Sequence, residues 1–268
     1  MEIKKEKVRL RTPLTYYGGK QQLLKEILTQ VPKHELYCEP FCGGAAVFFG
    51  KEPAKVEVIN DTNREVINFY KVVQNDFVSL EKEVRISLCS RFLHNDAWVI
   101  FSNPHMFSEL KRAWAVWVLA NQSVNAIITN SWGYERKSGK TTLRLSNKRE
   151  AFTEDLAIRL QNVQIECADT NYVIRSRDFE DAFFYVDPPY IGTCMGHYDG
   201  YSEDDYEKLL KTLSQIKGKF LLSSFPTDIL KRFTSQHGWH TKEVEMRCSA
   251  SKVGKRKVEV LTANYTLK

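Results

Sequence analysis

Two short apolar runs near the start of the chain each end in an acid, break on a turn and pass into a helical pattern. That alternation restricts the chain to folds built on a parallel sheet. The first run closes at Glu39, meets Gly43-Gly44 and leads into a small-residue helix through Phe49. The second, Val56-Glu57-Val58-Ile59, closes at Asn60-Asp61, and Val66, Ile67, Phe69, Tyr70 and Val73 follow at helical spacing. Upstream, Gly18-Gly19 opens a helical run containing Leu23, Leu24, Ile27, Leu28 and Val31, stopped by Pro32. The same rhythm resumes at Val163-Gln164-Ile165, Phe183 to Val186, Phe220 to Ser223 and Lys257 to Asn264. Between the two halves, residues 76–122 read as helices whose Trp98, Phe101, Phe107, Trp114 and Trp117 are expected in a core. Residues 123–149, around Trp132-Gly133-Tyr134 and Ser138-Gly139, read as a hairpin-like excursion. The expected architecture is α/β: a Rossmann-like, doubly wound, mostly parallel sheet made by residues 1–75 and 155–268. An inserted, mainly helical module at 76–154, carrying a β-hairpin, interrupts it.

Composition narrows the class without naming a function. With 43% hydrophobic and 27% charged residues, and 13 Gly and 8 Pro among 268, the chain is neither fibrous nor disordered. Its six cysteines stand at 38, 42, 89, 167, 194 and 248 with no C-x-x-C spacing, so they read as reduced, mostly buried thiols and support no zinc site. Met1 to Arg11 is charged, and the longest apolar stretch, Ala113 to Ala120, falls far short of the ~20 residues that span a bilayer. No membrane partner is expected, and the cytoplasm is the expected compartment. The net charge of +6 is segregated: residues 151–215 hold 13 acids against 5 bases, whereas 216–268 hold 11 bases against 4 acids.

Asp187-Pro188-Pro189-Tyr190 stands directly after the apolar Phe183-Phe184-Tyr185-Val186. At average residue usage such a tetrad arises by chance in about 1 in 10³ chains of this length. Two prolines alone make a rigid turn, but a turn needs neither the acid before them nor the ring after them. The set suits an aromatic amine, whose nitrogen lone pair is delocalised until both N–H bonds are drawn toward acceptors. Asp187 offers a carboxylate, Pro188 a carbonyl on stiff backbone, and Tyr190 a face on which a planar base stacks for about 1–3 kcal/mol. In Glu39-Pro40-Phe41-Cys42-Gly43-Gly44, a strand ends in an acid and glycines admit a ligand close to backbone, in a pattern that is not the dinucleotide fingerprint. Asp61 ends the next strand, where doubly wound folds hold ribose hydroxyls; taken singly, Asp61 and Thr62 are equal candidates for a helix N-cap.

Thr15-Tyr16-Tyr17-Gly18-Gly19-Lys20, the Glu39 to Gly44 segment, Asn60-Asp61 and Asp187 to Tyr190, taken in order, resemble the motifs of the Dam-type adenine-specific DNA methyltransferases. The order, with an insert between the cofactor and catalytic motifs, resembles that of the alpha group of amino-methyltransferases. The resemblance implies S-adenosyl-L-methionine as methyl donor, with Tyr16 and Lys20 contacting it, Glu39, Phe41 and Gly43 lining its methionine end and Asp61 its ribose. Asp169 fits the position that receives the donor's adenine amine, although Thr170 follows where the family often has an aromatic residue, and an N-cap is an equal reading. It implies Asp187, Pro188 and Tyr190 as the catalytic set acting on a flipped adenine in double-stranded DNA. A cognate restriction endonuclease is left open as a second partner.

The insert is expected to read the DNA. Arg136, Lys137, Lys140, Arg144, Lys148 and Arg149 follow one another with no acid among them, beside Trp132 and Tyr134. Neutralisation of about four phosphates corresponds to a log–log salt slope near −3.6. Lys252, Lys255, Arg256 and Lys257 form a second basic cluster, equally a solvated loop or a backbone clamp. Two rivals stand beside this reading: the same constellation serving the amine of cytosine or an RNA substrate, and a non-catalytic DNA-binding module with a degenerate cofactor site.

Overall fold

The computed structural model describes residues 10–191, 201–247 and 256–268. Among the described residues seven strands form one sheet: β1 (Leu36–Glu39), β2 (Val56–Asn60), β3 (Val163–Glu166), β4 (Ala182–Val186), β5 (Lys219–Ser224), β6 (His240–Arg247) and β7 (Arg256–Ala263). The α-helices are α1 (Leu24–Gln30), α2 (Ala46–Gly50), α3 (Arg64–Asn75), α4 (Phe77–Ile86), α5 (Arg91–Ser102), α6 (Glu109–Gln122), α7 (Lys140–Glu150), α8 (Asp155–Leu160), α9 (Thr170–Ser176), α10 (Glu203–Leu213) and α11 (Asp228–His237). Packing divides the chain into two compact units: Met1–Leu28, Gly43–Pro53 and Asn68–Asn162 make one, and Thr29–Cys42, Ala54–Ile67 and Val163–Lys268 the other. The second unit holds the whole sheet. The first takes in all of residues 76–154 together with segments on either side.

The sheet runs β3-β2-β1-β4-β5-β7-β6. The first five of these strands pair in parallel, and β7 joins β5 and β6 antiparallel. Every residue of β1 and β4 is buried, and all but Glu39 carry the largely apolar side chains expected of parallel strands covered on both faces. Those strands were therefore legible as continuous apolar runs. The strand β6 was not foreseen: His240-Thr241-Lys242-Glu243-Val244-Glu245 is charged and largely exposed, as an edge strand that resists further pairing should be.

On this sheet α10 lays Tyr206, Leu209, Leu210 and Leu213 into the core formed with Phe184, Val186, Phe220 and Leu222, and α9 adds Val173 and Ile174. The acidic run Glu203-Asp204-Asp205 opens α10 through a capping box. The Ser202 hydroxyl accepts from the Asp205 N–H, and the Asp205 carboxylate accepts in return from the Ser202 N–H.

In the helical unit, α6 is buried along almost its whole second half, with Trp117 fully enclosed and the Trp114 indole N–H donating to Ser87 Oγ at 2.8 Å. Trp98 departs from the expected core role: it is 38% exposed on α5, and Phe101, against which it stacks, is only half-buried, as is Phe107. The expected hairpin is also corrected. Residues 123–139 contain a single antiparallel bridge, Ser123 with Trp132, and from Lys140 onward the chain is helical. Glu135 is the cause: its Oε1 accepts from the Thr141 N–H at 2.7 Å in the first turn of α7, and its other oxygen accepts from the Ser138 hydroxyl. A carboxylate at a helix N-terminus satisfies an orphan N–H and complements the helix dipole, so the segment winds up instead of pairing.

Candidate functional site

Because β2 and β3 lie to one side of β1 while β4 and β5 lie to the other, the winding direction reverses between β1 and β4. At such a point the loops leaving the carboxyl ends diverge and open a crevice. Glu39 is the last residue of β1, Asp61 the first after β2 and Asp187 the first after β4. Three carboxylates predicted from sequence therefore share one edge of the sheet.

The surroundings of each are set by its own loop. Glu39 is 2% exposed, and its Oε2 accepts from the Tyr37 hydroxyl at 2.8 Å. Asn60 ties together the loops after β1 and β3: its Nδ2 donates to the Pro40 and Ala168 carbonyls at 2.9 and 3.2 Å, and its Oδ1 accepts from the Ala168 N–H at 2.9 Å. The Cys42 N–H donates to the Asn60 carbonyl at 2.8 Å, continuing that tie. Burial, and then Asp61 and Glu39, push the Cys42 thiol well above its usual range, which keeps it protonated. Phe41 keeps part of its ring exposed and meets Tyr201 edge-on.

Neither Asp61 nor Thr62 caps α3. Asn63 does, accepting from the Glu65 N–H at 3.0 Å, while Asp61 Oδ1 accepts from the Asn63 N–H at 2.8 Å in a tight Asx turn. Asp169 does cap a helix, with Oδ1 accepting from the Tyr172 N–H at 2.8 Å at the start of α9. Thr170 is buried, and the aromatic ring nearest in sequence, Tyr172, is exposed.

In the helical unit, Tyr16 lies against the Gly43 turn. Gly43 has φ +43°, and a Cβ there would come within 3.0 Å of the Tyr16 ring. Lys20 is 5% exposed, and its Nζ donates to the Gly18 carbonyl at 2.8 Å.

At the Asp187-Pro188-Pro189-Tyr190 turn, both prolines are buried and Asp187 and Tyr190 are half-buried. The Tyr190 hydroxyl lies 2.5 Å from Glu259 Oε1, 3.3 Å from Asp187 Oδ1 and 3.4 Å from Ser223 Oγ. Burial, and then Asp187 and Glu259, hold its phenol well above the usual range, so it remains protonated. Phe225, just past β5, tilts against the Tyr190 ring with centroids 4.4 Å apart. A crevice lined by Pro188, Pro189, Tyr190, Ile191, Tyr206, Ser224, Phe225 and Thr227 adjoins the turn. Glu259, Ser223 and Phe225 were not anticipated. Each sits on a strand or loop distant in sequence, and only the pairing of β4, β5 and β7 brings them to the turn.

The expected nucleic-acid residues divide into two groups. Arg136, Lys137, Lys140 and Arg144 are exposed, whereas Lys148 donates to the Thr12 carbonyl and Arg149 to the Ser87 carbonyl, at 2.8 and 3.0 Å. Trp132 and Tyr134 stack nearly parallel at 5.8 Å, and the Arg91 guanidinium lies over both rings at 5.2 and 5.4 Å. Arg91, on α5, gave no signal in the sequence. The cluster at Lys252, Lys255, Arg256 and Lys257 lies outside the residues whose side chains are described. Among the described residues no helix is long and apolar enough to cross a membrane.

The site thus joins a doubly wound sheet with acids at its switch point to a rigid Asp-Pro-Pro-Tyr turn. The family model of the D12 class N6 adenine-specific DNA methyltransferases matches residues 16–247, and the chain belongs to that family. It is similar to the type II methyltransferase M1.LlaDCHI of Lactococcus lactis subsp. cremoris, 26% identical over 98% of both chains. The type II methyltransferase M.MjaIII of Methanocaldococcus jannaschii is 29% identical over 94% of this chain and 98% of its own. A DNA adenine methylase of Vibrio cholerae is 24% identical over 96% of each. The protein is thus an adenine-specific DNA methyltransferase that uses S-adenosylmethionine. The chemistry of the sheet edge fits that donor: its ammonium, ribose hydroxyls and adenine amine are hydrogen-bond donors, and Glu39, Asp61 and Asp169 are acceptors.

Proposed function

We propose that Asp187, Pro188 and Tyr190 act together on the N6 amine of an adenine flipped out of double-stranded DNA. Extrusion costs a few kcal/mol, which stacking on Tyr190 offsets in part. The Asp187 carboxylate and the Pro188 carbonyl accept the two N–H bonds, drawing the nitrogen lone pair out of the ring and toward the methyl group. S-adenosylmethionine, when bound, supplies that methyl group from its sulfonium. As the N–C bond forms, the amine acquires positive charge and its proton becomes acidic, so Asp187 can receive it without being a strong base. Tyr16 and Lys20 contact the donor, Glu39, Phe41 and Gly43 line its methionine end, Asp61 binds its ribose and Asp169 its adenine amine.

The observation that carries this reading is the placement of Asp187 one residue past β4, beside the strand that ends in Glu39. Asp187→Ala is expected to slow methyl transfer by about 10²–10³-fold while leaving donor affinity within about threefold, measured with tritiated donor and by calorimetry. Undiminished transfer by the variant would sink the mechanism.

Residues 76–154 serve as the target-recognition module, with Trp132, Tyr134, Arg136, Lys137 and Lys140 contacting the DNA. Two relatives are named type II methyltransferases, and this supports a role as the modification half of a restriction pair. On that reading DNA methylated by this protein resists an endonuclease in extracts of its source cells that cuts unmethylated DNA. Equal cutting of both substrates would leave a solitary methylase.

A further inference from the structure

Glu259 occupies the middle of β7, a strand paired on both sides, and is 1% exposed. A buried carboxylate is costly unless hydrogen bonds compensate it, and between Val258 and Val260 an apolar residue would carry no such cost. Two hydroxyls donate to its Oε1: that of Tyr190, at 2.5 Å, and that of Ser223. Tyr190 has one phenolic hydrogen. Asp187 Oδ1, another acceptor within reach, is 3.3 Å away, so the shorter bond goes to Glu259.

We propose that Glu259 is a positioning residue for methyl transfer, anchoring the Tyr190 hydroxyl and turning its hydrogen away from Asp187. The proposal rests on the catalytic reading of Asp187 and Tyr190 given above. The anchor has two consequences. Tyr190 is held at its hydroxyl by Glu259 and along its ring by Phe225, so the face it offers a flipped base does not swing. In addition, the Tyr190 hydroxyl does not compete with the target amine for the Asp187 carboxylate. Without Glu259, the phenol's remaining partners at this turn include the very carboxylate that the amine requires.

The test is a double-mutant cycle on purified full-length protein and a duplex substrate. Glu259→Leu is expected to lower kcat about tenfold with donor affinity unchanged. Glu259→Gln, whose amide oxygen still accepts, should stay within about threefold of the parent. In a Tyr190→Phe background, Glu259→Leu should slow turnover no further, because the Tyr190 hydroxyl is no longer there to be held. With 2-aminopurine at the target position, Glu259→Leu should brighten fluorescence as stacking on Tyr190 loosens. Parental kcat in Glu259→Leu, an equal loss in both backgrounds, or a Glu259→Gln variant as slow as Glu259→Leu would each overturn the proposal. If Glu259→Leu melts below the assay temperature, Tyr190→Phe decides alone: a tenfold loss of kcat at unchanged melting temperature supports the anchor, and parental turnover overturns it. A dead Asp187→Ala beside fully active Glu259 and Tyr190 variants would refute this inference and leave the catalytic reading standing.

Discussion

Gly43 meets two constraints at one residue. Its φ of +43° lies in the left-handed region, and the space a side chain would occupy is filled by the Tyr16 ring. Its carbonyl also accepts from the Tyr70 hydroxyl at 2.8 Å, which fixes the turn from the helix side. Gly43→Ala is expected to cost about 1–2 kcal/mol of stability, measured by urea unfolding with an unchanged slope, because an L residue pays that much to enter this conformation. It should also weaken donor binding in calorimetry, since Tyr16 must shift to make room; unchanged stability and affinity together would refute the packing argument. A glycine at this turn was legible from the Gly43-Gly44 pair, but the identity of the ring it accommodates was not.

At the scale of elements, α7 shows how a local contact overrides a pattern. Its residues Thr141 and Thr142 are β-branched and its neighbours polar, which reads as a strand, yet Glu135 supplies the missing N-terminal partner and the helix forms. The bonds from Ser138 and Thr141 hold the Glu135 carboxyl below its ordinary range. The cap's contribution is therefore fully present above the unfolded carboxyl's pKa and is lost as pH falls through the lower folded value. Glu135→Ala should fray the first turn of α7 and weaken duplex binding several-fold at neutral pH, read by fluorescence anisotropy, while calorimetry finds donor affinity unchanged. A variant that binds DNA like the parent would separate the helix start from DNA contact. The capping box of α10 is the contrasting case: Ser202 and Asp205 are three residues apart, and that cap needs nothing from elsewhere in the chain.

For the molecule as a whole, charge placement makes a quantitative prediction. Of the six bases between Arg136 and Arg149, two donate inward to carbonyls, and Arg136, Lys137, Lys140 and Arg144 are left on the surface. Neutralising Arg136, Lys137 and Lys140 together should reduce the steepness of the log–log salt dependence of DNA binding by about 2.7, at about 0.9 per phosphate contact. Donor affinity should not change; an equal loss of both would show that this segment does other work. The sequence by itself determined where the central strands lie: buried parallel strands announce themselves as apolar runs, with acids at their ends and the Asp187 to Tyr190 turn directly after one of them. Only the tertiary structure decided which groups stand behind that turn. Glu259 and Ser223 reach Tyr190 through strand pairings spanning 69 and 33 residues, and Arg91 reaches Trp132 from α5. Contacts of that kind leave no periodicity or spacing in the chain, because they are set by which strands lie side by side and not by which residues follow one another.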